Sequence, residues 1–323
     1  MQYVNLGKTG VKVSRLCFGT MSFGAEADED MSTRMFHACR DAGINFFDCA
    51  DVYSDGIAET YLGKLIGGCR DDIVLASKAF GPMGEGANDR GLSRRNIVKS
   101  VEASLRRLGT DRIDLYYAHK FDPDTDLEQT LRAFDDLVRS GKVLYTAASN
   151  WAAYQVATAL GISRKERIAE FECIQPMYNL AKRQAEVELL PLARAENLAV
   201  VPYSPLGGGL LTGKYGTEKK PRSGRLLDVG FYTKRYSLGH YYETAERFAA
   251  HATERGVEPA TLGVAWVMSH PAITAPIIGA RNVDQLRASL GAVDVAMTPE
   301  WRAEISALSV APPPPTDRLE ETL

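Results

Sequence analysis

The sequence predicts an α/β fold: a (β/α)8 barrel of the TIM type, with an N-terminal β-hairpin and long loops at its C-terminal face. Three observations carry that prediction. Short β-branched and aromatic runs alternate with longer amphipathic stretches, and eight such runs are present. The runs are almost continuously apolar, as in strands covered on both faces. The first is followed by Gly19-Thr20-Met21-Ser22-Phe23-Gly24, which lacks the GxGxxG spacing of an open dinucleotide-binding sheet.

The elements follow in order. Val4–Val13 contains the turn Leu6-Gly7-Lys8-Thr9-Gly10 and reads as a hairpin capping the bottom of the barrel. Strands are predicted over Leu16–Thr20, Asn45–Asp48, Ile73–Ser77, Ile113–Tyr117, Val143–Ala147, Phe171–Gln175, Ala199–Pro202 and Ala275–Ile278. Ser93 can cap a helix whose Ile97, Val101, Leu105 and Leu108 share one face, with Gly109 as terminator. Thr125-x-x-Glu128 has capping-box spacing. It opens a helix with Leu127, Leu131, Phe134 and Val138 on one stripe, ending near Gly141. Tyr242–Arg255 and Pro259–Ser269 are two further helical stretches. Leu206–Gly239, rich in Gly, Lys and Arg, is too long for an ordinary connection and reads as a functional or mobile loop. Pro312–Pro315 reads as an exposed polyproline-like tail. No linker divides the chain, so residues 1–323 are expected to form a single barrel domain.

Composition narrows the function classes. With 45% hydrophobic and 24% charged residues the chain can form a full core. A net charge of −3 argues against a basic face for nucleic acid. No apolar run approaches the roughly 18 residues of a membrane span, and MQYVNLGKTG has no signal-peptide core. Cys17, Cys39, Cys49, Cys69 and Cys173 are odd in number and form no CxxC pair, which suits reduced thiols. His37, His119, His240, His251 and His270 offer no close ligand pair for a metal. A cytoplasmic protein without nucleic-acid, membrane or metal partners is expected.

Chemistry in such a barrel gathers at the C-terminal strand ends. The second strand ends Phe47-Asp48-Cys49-Ala50-Asp51-Val52-Tyr53, the third Ser77-Lys78, and the fourth Ala118-His119-Lys120-Phe121-Asp122. Each residue alone has an ordinary structural use: Asp48 in a turn, Lys78 at a wet rim, Tyr53 in packing, His119 as a satisfied core histidine. Together at consecutive strand ends they form an acid–base set. A phenol titrates near 10, and a neighbouring ammonium lowers that value. Asp48 would keep Lys78 charged, and His119 would orient a carbonyl. Lys78 could instead be a Schiff-base nucleophile, but that needs a neutral amine, which Asp48 opposes.

These segments resemble the aldo-keto reductases from end to end. The resemblance rests on Asn5–Gly10, Phe18–Met21, FDCADVYSDGIAETYLGKLI from Phe47, Asp111–Tyr117 and His119-x-x-Asp122. It continues through Ser149-Asn150, Gln175-Pro176-x-Tyr178-Asn179, YSPLGGGLLTGKY from Tyr203 and IIGARNVDQL from Ile277. It is closest to the branch that includes aryl-alcohol dehydrogenases and potassium-channel β-subunits. The resemblance implies a catalytic tetrad of Asp48, Tyr53, Lys78 and His119 and reduction of an aldehyde or ketone to an alcohol, with Tyr53 as general acid. It implies NADPH/NADP+ as cofactor, its carboxamide held by Ser149, Asn150 and Gln175 and its nicotinamide stacked on Tyr203. The loop with Ser204, Pro205, Leu206, Gly208, Leu210 and Lys214 would cover the pyrophosphate. Gly19, Thr20, Met21, Asp48 and Gly279 complete the implied cofactor wall. Arg281 would take the 2′-phosphate, with Gln285 and Ser289 beside the adenosine. The family often has Asn at Ser289 and Gly at Ala147, departures that bear on cofactor affinity. A cofactor-binding redox sensor or regulatory subunit with little turnover is the alternative.

For the substrate, Phe23, Phe80, Phe121, Trp151 and Tyr232 are the aromatic candidates above the barrel, with Phe231 and Tyr236 nearby. If they converge, the pocket suits a bulky apolar carbonyl compound.

Overall fold

The chain begins by plugging the barrel it goes on to build. In the computed structural model, which describes residues 1–316, β1 (Tyr3–Asn5) pairs antiparallel with β2 (Lys12–Ser14), Tyr3 opposite Ser14. Leu6 and Val13 are fully buried and pack with Cys17, Phe46, Leu115 and Ala199 inside the barrel. Gly7 stands at φ +54, and a Cβ there would lie 2.9 Å from the Ala199 amide nitrogen. Only glycine lets the hairpin close so tightly under the strands.

The eight predicted runs all enter the barrel. They are β3 (Cys17–Gly19), β4 (Phe46–Asp48), β5 (Val74–Ala79) and β6 (Ile113–Ala118), then β7 (Val143–Ser149), β8 (Phe171–Gln175), β9 (Ala199–Val200) and β10 (Ile277–Ile278). All pair in parallel, in the order β10-β3-β4-β5-β6-β7-β8-β9. The two edges meet: Thr274 N–H donates to Val200 O at 2.9 Å and Ile277 N–H to Pro202 O at 2.8 Å. The ring closes and leaves no free edge. β9 is shorter than expected because Pro202 has no N–H to extend the ladder.

Strand alternation separates two cores. Phe18, Phe47, Leu75, Tyr116, Ala148 and Ile174 face the helices. Cys17, Phe46, Ala76, Tyr117, Ala147 and Cys173 face the interior. Side chains two apart share a face. The interior row therefore continues from Phe46 to Asp48, Ala76 to Lys78, Tyr117 to His119, Ala147 to Ser149 and Cys173 to Gln175. This parity places the polar residues at the mouth of the barrel.

The helix over Arg94–Leu108 follows its sequence signals: Ser93 accepts from the Asn96 amide, and Gly109 ends it in the left-handed region. The next helix corrects an expectation. It runs over Leu127–Arg139, and its cap is the Asp126 carboxylate, which accepts from Gln129 N–H. The Thr125 hydroxyl instead donates to Asp122 at 2.8 Å, and Glu128 pairs with Arg132. The capping box does not form. Two later helices run over Gly239–Glu254 and Pro259–Met268. The long segment 206–239 is not structureless: it holds short helices at Arg225–Asp228 and Gly230–Arg235 and buries Leu226, Tyr232 and Tyr236. Residues 312–315 are coil, exposed or half-buried. Among the described residues no helix is long and apolar enough to cross a membrane, and no cluster of potential metal ligands occurs.

Candidate active site

Lys78 is fully buried, and Asp48 is buried beside it. The Lys78 ammonium has three N–H donors and three acceptors. They are Asp48 Oδ1 at 2.5 Å, the Cys49 carbonyl at 2.7 Å and the Tyr53 hydroxyl oxygen at 3.2 Å. Burial alone would push the ammonium towards its neutral form, but Asp48 and Tyr53 reverse this and hold it above the ordinary lysine value. A lysine held charged in this way is not a Schiff-base nucleophile. The second Asp48 oxygen accepts from Gln175 Nε2 at 2.8 Å, so the carboxylate is tied on both sides.

Tyr53 opens a tight turn over Tyr53–Gly56, where Ser54 and Asp55 take φ of +49 and +52. The Ser54 hydroxyl donates to the Phe23 carbonyl at 2.8 Å and anchors the turn. Among the described residues, six non-glycine positions have positive φ, and four of them flank this site: Ser54, Asp55, Asn150 and Ser204. Backbone strain concentrates here, as at sites that over-determine a geometry. Burial pushes the Tyr53 phenol up to about 12, outweighing the Lys78 ammonium, which pulls it down. The expectation of a lowered phenol is therefore corrected: desolvation wins over the adjacent charge in the protein alone.

His119 meets the Tyr53 ring edge-on, with centroids 6.1 Å apart. Burial, aided by Lys78, pushes its imidazole down to about 3, so it is neutral at physiological pH. A relay of polar groups runs on from it. Asn150 Nδ2 donates to the His119 carbonyl at 3.0 Å, Tyr203 O–H to Asn150 Oδ1 at 2.7 Å, and Ser149 O–H to the Gln175 carbonyl at 3.0 Å.

Asp48, Tyr53, His119, Ser149, Asn150, Gln175 and Tyr203 line one end of a cleft of about 640 Å³, while the fully buried Lys78 does not reach its wall. The cleft wall also takes in Gly19, Met21, Ser204, Pro205, Leu206, Gly208, Lys214 and Gly279, and it ends at Arg281, Gln285 and Ser289. Of the cofactor candidates, Thr20 and Leu210 stay outside the wall. Both are fully buried, and the Thr20 hydroxyl is spent on the Asp48 carbonyl at 3.0 Å. The aromatic candidates mostly fail to converge. Tyr232 lines the cleft, and so does Phe231. Phe23 is buried against Phe18, while Phe121 and Trp151 pack edge-on at 5.0 Å, and Trp151 continues onto Phe171. Phe80 lies half-buried under Lys120. Phe23 and Trp151 are drawn down onto aromatic residues of the strands, Phe121 onto Trp151, and Phe80 onto Lys120, which accounts for these differences.

Sequence reasoning missed Arg225 and Arg235 in the wall, whereas Gly209 and Thr212, also in it, belong to the Ser204–Lys214 loop expected there. The richness of 206–239 in Gly, Lys and Arg was the available signal. Five cationic side chains (Lys120, Lys214, Arg225, Arg235, Arg281) face two acidic ones, Asp48 and Glu258, across the lining. That balance favours an anionic ligand. Gly209 takes φ +104, and open space stands where its Cβ would be. Backbone can therefore approach a ligand closely there. Together with the amide and hydroxyl donors at the other end, this donor set fits a dinucleotide and its pyrophosphate.

The family model described as "Aldo/keto reductase family" matches residues 15–310. YrpG, an uncharacterized oxidoreductase of Bacillus subtilis (strain 168), is 39% identical over 312 residues, covering 93% of each chain. A protein of Oryza sativa subsp. japonica, described as a probable voltage-gated potassium channel subunit beta, is 35% identical over 98% of this chain and 99% of its own. A Schizosaccharomyces pombe protein named provisionally as an aryl-alcohol dehydrogenase is 33% identical over 92% of this chain and 93% of its own. With the barrel, the strand-end residues and these likenesses together, the chain belongs to the aldo/keto reductase family of oxidoreductases.

Proposed function

We propose that the protein reduces a bulky, apolar aldehyde or ketone to an alcohol with NADPH, with Tyr53 as general acid. One observation carries the reading. The Tyr53 oxygen accepts a hydrogen bond from Lys78, which leaves its own O–H free to donate to a carbonyl oxygen in the cleft. The nicotinamide, when bound, supplies the hydride. Ser149, Asn150 and Gln175 would hold its carboxamide, Tyr203 its ring face, and Lys214 and Arg281 its phosphates. As negative charge builds on the carbonyl oxygen, Tyr53 gives its proton. An alkoxide is far more basic than a phenolate, so a phenol near 12 still transfers that proton downhill. The neutral His119 orients the carbonyl without competing as the acid. Tyr232 and Phe231 would flank the apolar part of the substrate. On this reading residues 1–323 act as one barrel domain in the cytoplasm, on a small molecule, without nucleic-acid or membrane partners.

A panel of aryl and alkyl carbonyl compounds, followed by loss of NADPH absorbance at catalytic protein concentration, tests the reading. Many turnovers per site are expected. Binding of NADPH with no turnover beyond one slow oxidation would replace it with a sensor role.

A further inference from the structure

Glu26 lies on the loop after β3, outside the cleft wall, yet its charge reaches two arginines that form that wall. The loop is fixed in place. Ala25 and Ala27 N–H both donate to the Ser22 carbonyl, at 3.1 and 2.9 Å. The Ser22 hydroxyl in turn donates to the carbonyl of Ala280, the residue before Arg281, at 2.7 Å. One carboxylate oxygen, Oε1, then stands 3.0 Å from Arg225 Nε and 3.6 Å from Arg281 Nε. The arginines come from separate elements: Arg225 from a short helix of the long loop, Arg281 from the segment after β10. The contact to Arg225 is a hydrogen bond, whereas that to Arg281 is longer and purely ionic.

We propose that Glu26 sets how strongly the site discriminates a 2′-phosphorylated dinucleotide from an unphosphorylated one, as an internal anion that the phosphate must displace from Arg281. The proposal rests on the reading of Arg281 as the phosphate ligand. Two anions cannot share one guanidinium without repulsion, so the longer contact yields first. Arg225 keeps its hydrogen bond and continues to tie the long loop to the loop after β3. A dinucleotide without the phosphate leaves both contacts as they are. Glu26 is 34% and Arg281 37% exposed, so solvent screens their attraction and limits it to a modest brake.

Fluorescence titration with NADPH and NADH, and calorimetry with 2′,5′-ADP and AMP, test this on the parent and on Glu26→Gln, which keeps the shape and removes the charge. The substitution is expected to tighten NADPH and 2′,5′-ADP about three- to tenfold and to leave NADH and AMP within about twofold. Any loosening of the loop through Arg225 weakens phosphorylated and unphosphorylated ligands alike, so the ratio isolates the brake. A parent that prefers the phosphorylated ligands, with a ratio unchanged or reduced in Glu26→Gln, overturns the proposal alone. A parent without that preference removes the Arg281 reading, and this proposal with it.

Discussion

At the mouth of the barrel the polar groups stand at strand ends, and Asp48 and Lys78 are at most 3% exposed, with every ammonium donor matched to an acceptor. At the other end of the same cleft, Arg281 and Glu26 sit on loops, about a third exposed, at a spacing too long for a hydrogen bond. The first end is built like a protein core and the second like a protein surface. Proton transfer tolerates little misplacement, and strands supply the precision. An exposed ionic contact such as Glu26–Arg281 depends on charge more than on exact position, and loops suffice to hold it.

The largest expected effect lies at the core-like end. Tyr53→Phe keeps the ring and removes the acid, and kcat should fall roughly 10²–10⁴-fold while NADPH affinity holds. Near-parent kcat in a folded, cofactor-binding variant would remove Tyr53 from the acid role. Lys78→Met would leave the buried Asp48 carboxylate without its cation, at a cost of about 3–5 kcal/mol in urea unfolding. A loss below about 1 kcal/mol would mean that Gln175 alone satisfies Asp48, and the core-like description would fail.

The surface-like end should respond less. Arg281→Ala should weaken NADPH by on the order of 1.5–3 kcal/mol at low salt, less as salt rises, and spare NADH. Equal weakening of both would show that this end reads no phosphate. The smallest effect is on stability. Burial holds His119 down to about 3 and His270 down to about 4, so both are neutral when folded. Unfolded histidines titrate near 6.5. Between these values the unfolded chain binds more protons, so stability falls as pH drops below about 6.5. Urea midpoints at neutral and mildly acid pH should show that slope, and it should flatten in a His119→Gln, His270→Gln double variant.

Much of this was legible because it is local. Asp48, Lys78 and His119 lie just beyond apolar runs, and the two-residue period carries them to the mouth. Ser93 and Gly109 act on neighbours within a turn. What was not legible depends on distance in the chain. Phe121 could meet the cleft or Trp151, and only the fold decides between them. Asp126 and Thr125 both suit a cap, and Asp122, only three residues before Thr125, settles it by taking the threonine hydroxyl once its own carboxylate is fixed by the distant Leu92 amide. The raised Tyr53 phenol reflects desolvation by elements that no single segment contains. The Glu26–Arg281 pair joins opposite ends of the chain and leaves no trace in either segment.

The seam between β9 and β10 has a consequence for synthesis. Seven of the barrel strands leave the ribosome before residues 274–277, which supply the closing hydrogen bonds. Until then β9 and β3 each present an edge with unpaired backbone groups, separated by a whole growing barrel. Such a closure is long-range and slow. A nascent chain halted short of Thr274 is therefore not a smaller barrel but an open sheet with two adhesive margins, the kind of species that chaperones bind and that aggregates without them.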